Sequence, residues 1–360
     1  MSMLLPLVPK CLPRFACELR IAFTAREHDA ERARPVSRIR AALASVAAVA
    51  VLGSSACTAA ARVPKPEIFD LWTSLDWFQV REGAAVAEGG AAEAIEAFEE
   101  TSVDKVEAAL KKAGLVYFGE RHDSHLDHGV QLEVISRIAG NAERVLGRPG
   151  SFVLGLEMVQ QPYQAALTGL MEGDLDWQGF LEASQWEVRW GYDAALYEGV
   201  LRLARSRGAD AVALNVPTEL SHAVAKEGYA AVAEQEIVPE LLQGAESYDA
   251  FIGRALAGHP GMSEAQVDRF KEAQTLWDSG MAQVVSDTLA ARKARMLVLA
   301  GAVHVARGLG IPDRAHALLA AQGKRIPYII IRPAVPVGHW RTGCGRGCLG
   351  EFVYLGAEPR

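Results

Sequence analysis

Leu115-Val-Tyr-Phe-Gly-Glu-Arg-His-Asp123 is an apolar run that stops on a glycine and then presents four ionisable side chains in a row. Its first four residues show no polar alternation, as expected of a strand buried on both faces of a parallel sheet. Gly119 lets the backbone turn sharply, and the strand then holds Glu120 and His122 at the rim of the sheet. A helical pattern with His125, His128 and Gln131 follows. Similar short apolar runs recur at 152–156, 211–216, 296–300 and 328–331, with helical patterns between them. Ser102 is a suitable N-cap for a helix leading into the first run. The alternation predicts an α/β fold, a parallel sheet flanked by helices and joined by right-handed crossovers. The intervals 160–210 and 218–295 are too long for simple crossovers. Both read as helical insertions that form a lid or small subdomain.

Ligands of parallel α/β sheets collect beyond the carboxyl ends of the strands. Four of the predicted strands deliver polar groups there: Glu120 with His122, then Glu157, Asn215, and His304 in Gly301-Ala-Val-His304. Glu120 and Glu157 suit general base work, and Asn215 suits orienting a substrate or a water. His122 and His304, with Glu120, are candidate ligands for a divalent metal ion through neutral imidazole. A strand-end Glu or His taken alone is more often a cap or turn residue, but four at one edge point to a site. His222, His259, His316 and His339 have no supporting spacing. Gln274, Asp278 and Met281 fall at i, i+4 and i+7 and share one helical face. That face reads either as the cover of a polar cleft or as a solvated surface. Trp177, Trp186, Trp190 and Tyr192 lie within sixteen residues. They suit a flat apolar ligand or the small core of a helical subdomain.

Half of the 360 residues are hydrophobic, enough to bury the core of one large domain or two small ones. Arg38 and Arg40 precede the small-residue apolar run 41–53, which is shorter than a membrane span and reads as an export signal. Ser54-Ser-Ala-Cys57 resembles a bacterial lipobox, with Ser54 where leucine is usual, so lipidation of Cys57 and a membrane anchor are expected. The alternative is ordinary cleavage near Ala59 or Ala60. Residues 1–57 are thus a leader, whose first 35 residues read as an upstream start, and 58–100 a tether and N-terminal extension. Residues 101–333 are expected to form the α/β domain and 334–360 a C-terminal tail. Residues 1–57 hold 8 Lys+Arg and 4 Asp+Glu, leaving 29 against 40 and a net charge of −11. With no long basic run, nucleic acid is not an expected partner. Cys344 and Cys348 are spaced for a small disulfide loop or stand as two free thiols.

Several motifs occur in a shared order: Phe118-Gly-Glu-Arg-His-Asp123 with His128 and Gln131, Leu156-Glu-Met158, Trp190-Gly-Tyr192 and Leu214-Asn-Val-Pro217. They continue with Ala273-Gln-Thr-Leu-Trp-Asp278, Met281-Ala282, Leu299-Ala-Gly-Ala-Val-His304 and Gly310-Ile-Pro312. In these the chain resembles the ChaN-type haem-binding lipoproteins. Their wider superfamily includes the Tiki and TraB proteins and, more distantly, the erythromycin esterases. The resemblance covers roughly 105–320 and implies haem as cofactor, outer-membrane attachment and a part in iron uptake. It further implies a homodimer with two haems stacked face to face and a tyrosine on the iron. Tyr192 is the candidate, with Tyr163 and Tyr197 behind it, and His128, Gln274, Asp278 and Met281 are the further cofactor-binding candidates. The Tiki-like branch implies an alternative, a metal-dependent hydrolase in which Gly119-Glu-Arg-His122 and Gly301-Ala-Val-His304 hold the ion. A scaffold that keeps the fold without chemistry is the third expectation.

Overall fold

The structure is a computed structural model. It describes residues 68–80, 98–146, 152–235, 238–245, 247–256, 262–334, 344–345 and 347–356. The leader, Cys57 and most of the tether lie outside the described residues. All the described residues fall in the compact unit Pro66–Arg360.

Eight strands form one sheet: β1 (Asp76–Val80), β2 (Phe98–Glu100), β3 (Leu115–Glu120), β4 (Phe152–Gln160), β5 (Asp210–Asn215), β6 (Arg295–Gly301), β7 (Tyr328–Pro333) and β8 (Cys348–Leu355). Their spatial order is β2-β1-β8-β7-β3-β6-β4-β5. The strands from β8 to β5 are mutually parallel, and β1 pairs antiparallel with both β8 and β2. Every residue of β3, β4, β6 and β7 is buried, the apolar runs together with the polar Glu120, Glu157, Gln160, Arg295 and Arg332. The expected parallel α/β sheet flanked by helices is the fold observed.

Local signals explain where the helices start. The Ser102 hydroxyl accepts from the Lys105 N–H and caps the helix Val103–Lys112. Ser263 and Gln266 close a capping box on the helix Glu264–Ala291. The two long intervals are helical, as expected. The first packs Phe180, Trp186, Tyr197 and Leu201 into the main apolar cluster, which also contains Phe118, Leu156 and Leu299. The sheet also takes in segments that the sequence reading leaves as extension and tail. Trp72 and Trp77 are buried in the main cluster with ring centroids 4.5 Å apart, and Trp77 brings β1 to the sheet. β8 slots between β1 and β7 although it carries Gly350 and Glu351. Buried Arg332 donates to Glu351 at 2.6 Å, which lets that carboxylate sit inside the sheet. The open choice at the cysteines resolves as a Cys344–Cys348 disulfide, with the Cα atoms 5.7 Å apart.

Candidate functional site

β6 lies between β3 and β4, so the chain brings three strand ends into one row. Glu120 on β3 pairs in register with Gly301 on β6, and Leu156 on β4 pairs with Leu299. Glu157 therefore stands beside Gly301, whose N–H donates to its Oε2 at 2.6 Å. A side chain would crowd position 301 and clash at position 310. A Cβ on Gly301 would lie 3.1 Å from His122 Cε1 and Nε2 and 3.6 Å from His304 Cδ2. Gly310, at φ +75°, turns the chain so closely that a Cβ would meet the His304 carbonyl oxygen at 2.4 Å. The two imidazoles thus converge over a bare stretch of backbone.

Each imidazole is held by buried carboxylates. His122 Nδ1 is 2.8 Å from Glu120 Oε1. Tyr197 donates to the same oxygen at 2.6 Å, and Gln131 Nε2 donates to Glu120 Oε2. His304 Nδ1 is 2.7 Å from Asp278 Oδ1, and its Nε2 lies 3.4 Å from Glu157 Oε1. Tyr248 donates to Asp278 Oδ2, and its ring carries the Arg314 guanidinium at 4.1 Å. Only His122 opens outward, with 21% of its side chain exposed against 6% for His304.

Electrostatics follow from this packing. Burial alone would raise the Glu120 pKa. Its hydrogen bonds to His122 and Tyr197, with the charges of His122 and His128, hold it below the ordinary carboxylate value. For His122 burial pulls the pKa down, and the bond and charge of Glu120, with Glu157, outweigh it and raise the pKa. Burial likewise opposes the charge on His304. The carboxylates of Glu157 and Asp278 overcome it and lift the pKa to about 9. Glu120 is therefore a fixed anion and His304 a fixed cation at neutral pH.

Two aromatic rings of the first long insertion contact His122. Trp190 and Tyr192 approach it with centroids at 4.6 and 4.8 Å, and both are half-buried. They sit on the short helical turn Trp186–Arg189 and its exit, anchored when Trp186 Nε1 donates to the Tyr192 carbonyl at 2.9 Å. Val188 on that turn is 80% exposed.

The structure thus gathers Glu120, His122, Glu157, His304, Asp278 and Tyr192 around one polar well with an aromatic mouth. Asn215 ends β5 nearly buried, and its Oδ1 has no hydrogen-bond partner. Other candidates stand elsewhere. His128 is buried behind Glu120, its ring nitrogens facing Gln131 Oε1 at 3.1 Å and the His122 carbonyl at 3.2 Å, so it supports the wall. The face of Gln274, Asp278 and Met281 is buried rather than solvated, but only Asp278 reaches an imidazole. Met281 instead packs with Leu214, Val298 and Ile330 in the core. Tyr197, placed as a reserve iron ligand, is buried against Glu120. Its spacing to Leu201 and Ala204 on the buried helical face was the signal available for that. Tyr248 and Arg314 carry no motif and become visible only through packing.

The expected metal site needs correction. Among the described residues no three His, Cys, Asp or Glu side chains are arranged to hold an ion. Three of the four ring nitrogens of His122 and His304 are turned to carboxylates, which leaves only Nε2 of His122 to meet an ion. His304 faces one with each ring nitrogen, and His122 spends Nδ1 on Glu120.

Residues 106–315, which contain every side chain of the well, match the haem-binding uptake family of the Tiki superfamily, ChaN. The chain belongs to this family. A solved structure of ChaN from Campylobacter jejuni, described with cofacial haem binding, has a TM-score of 0.56 at 16% identity. The likeness covers 78% of this chain and 98% of that one, so the ChaN fold is shared. The type III effector HopBA1 has a TM-score of 0.35 at 15% identity, over 78% of this chain and 97% of its own. An erythromycin esterase, EreC, in its open conformation has 0.37 at 12% identity, over 71% and 77%. No curated protein sequence matches the chain.

Proposed function

We propose that this protein is an exported lipoprotein, anchored through Cys57, that binds haem and serves haem or iron uptake. The observation that carries the reading is the match to a haem-binding family across the whole well, joined to the aromatic mouth beside His122. The donor set fits haem. A half-buried phenol at Tyr192 and a partly exposed imidazole at His122 are both of the class that ligates haem iron. Trp190 offers a flat apolar face, and Val188 extends it outward. In this reading Tyr192 would hold the iron through its phenol oxygen, and Trp190 would offer the macrocycle an apolar face. Haem itself supplies the iron and its visible absorption. We further propose that a second protomer carrying its own haem completes the site. The cofacial haem described for ChaN of Campylobacter jejuni supports that arrangement.

Purifying the protein from its native membrane tests the reading. The expected result is a Soret band with matching iron content, and an N-terminal peptide that begins at Cys57 and carries lipid mass. A colourless, unlipidated protein would contradict it.

A further inference from the structure

The turn that carries the aromatic mouth ends on a cation. Arg189 closes Trp186–Arg189 directly before Trp190. Its guanidinium lies 5.3 Å over the Tyr163 ring, Nε donates to Gln185 Oε1 at 3.2 Å, and Nη1 donates to Glu219 Oε1. Tyr163 follows β4, and Glu219 lies in the first turn of the helix that follows β5. β5 continues the row of strand ends beyond β4. The turn therefore spans the row, with Trp190 against His122 past β3 and Arg189 against Glu219 past β5. The two members of the ion pair are unequal. Arg189 keeps 20% of its side chain exposed, Glu219 68%. A pair this open to water contributes little, because solvent screens it and two long side chains lose freedom. A guanidinium backed by an aromatic face gains more from a carboxylate that arrives on an apolar body and excludes that water. Glu219 is thus a loosely held occupant of a well-placed carboxylate receptor.

We propose that Arg189 binds a carboxylate of the ligand that docks on Trp190 and Tyr192, and that Glu219 gives up its place to that carboxylate. The inference rests on the haem reading above, in which the carboxylates are the propionates of the macrocycle. Arg189 is then the residue that sets specificity. Trp190 and Val188 offer apolar contact to any flat ring, whereas Arg189 favours a ring that carries an acidic arm. The exchange swaps one carboxylate for another on the same guanidinium, so the count of ion pairs on Arg189 is unchanged. Glu219 keeps its negative charge as it leaves, because it sits at the N-terminal end of a helix, where an anion is favoured.

Haemin and haemin dimethyl ester, whose carboxylates are blocked, test this by absorption titration of the purified full chain in one mild-detergent buffer. Wild type is expected to bind haemin about tenfold or more tighter than the ester. Arg189→Gln should weaken haemin about tenfold and leave the ester within about twofold of wild type. Glu219→Gln removes the competing charge, so it should tighten haemin about threefold and leave the ester unchanged. An Arg189 that only staples the turn to the next helix predicts the opposite sign. Both substitutions would then loosen Trp190 and Tyr192 and weaken both porphyrins alike. Circular dichroism identifies variants that fold. Should Arg189→Gln not fold, the direction of the change in Glu219→Gln still decides. Equal loss of both porphyrins in Arg189→Gln, or weaker haemin in Glu219→Gln, would overturn the inference and leave the haem reading standing. No saturable binding of either porphyrin by wild type would overturn both.

Discussion

His304 should make the stability of this protein depend on pH in a defined window. In the folded chain its pKa stands at about 9, because Glu157 and Asp278 flank it in spite of burial, against 6.5 for the unfolded residue. Below pH 6.5 the imidazole is charged in both states, and the stabilisation from its ion pairs is fully present. Between 6.5 and 9 the folded protein keeps a proton that the unfolded chain has released, so stability falls as pH rises. Above 9 the contribution is gone. The difference between the two values amounts to about 3 kcal/mol. Urea unfolding of wild type and His304→Gln at pH 6, 7.5 and 9.5 measures it, since the variant has nothing to titrate at that position. The advantage of wild type over the variant should shrink by about 3 kcal/mol across the series. An advantage that is flat, or that grows with pH, would show that His304 is neutral in the well. The reasoning on its two carboxylates would then be wrong.

Other perturbations follow from the same geometry. Glu120→Gln leaves Tyr197, His122 and Gln131 competing for one carbonyl oxygen and should cost about 3 kcal/mol in urea unfolding. It should also lower the His122 pKa in an NMR titration, since Glu120 is what raises it. Gly301→Ala sets a methyl 3.1 Å from the His122 ring. It should cost about 1–2 kcal/mol in urea unfolding and shift the His122 ring signals in the same NMR titration. Replacing Cys344 and Cys348 by serine opens a short loop and should cost about 2 kcal/mol, read as a lower unfolding midpoint under oxidising conditions.

Five strands, β3 to β7, were legible because each contains a short apolar run without polar alternation. Their carboxyl ends then located Glu120, His122, Glu157 and His304 with no knowledge of strand order. The order itself, with β6 between β3 and β4, was not legible, yet it is what sets Glu157 beside Gly301. β8 escaped notice because Glu351 interrupts its apolar pattern, and its partner Arg332 lies 19 residues earlier in the chain. A helical wheel placed Asp278 and Met281 together, but spacing alone does not say which of them touches an imidazole. The supports of the two dyads were hidden for the same reason, since Tyr248 reaches Asp278 across 30 residues and Tyr197 reaches Glu120 across 77. The metal expectation failed on orientation, which sequence does not carry. The right residue types converge, but three of the four ring nitrogens are turned to carboxylates.

The central claim is that haem docks on the aromatic mouth formed by Trp190 and Tyr192. A haemin titration of wild type, Tyr192→Phe and Trp190→Ala, followed by absorption, tests it most directly. The account predicts a saturable Soret shift in wild type, an altered ligand spectrum in Tyr192→Phe and weaker binding in Trp190→Ala. No saturable shift in wild type, or three superimposable titrations, would contradict it.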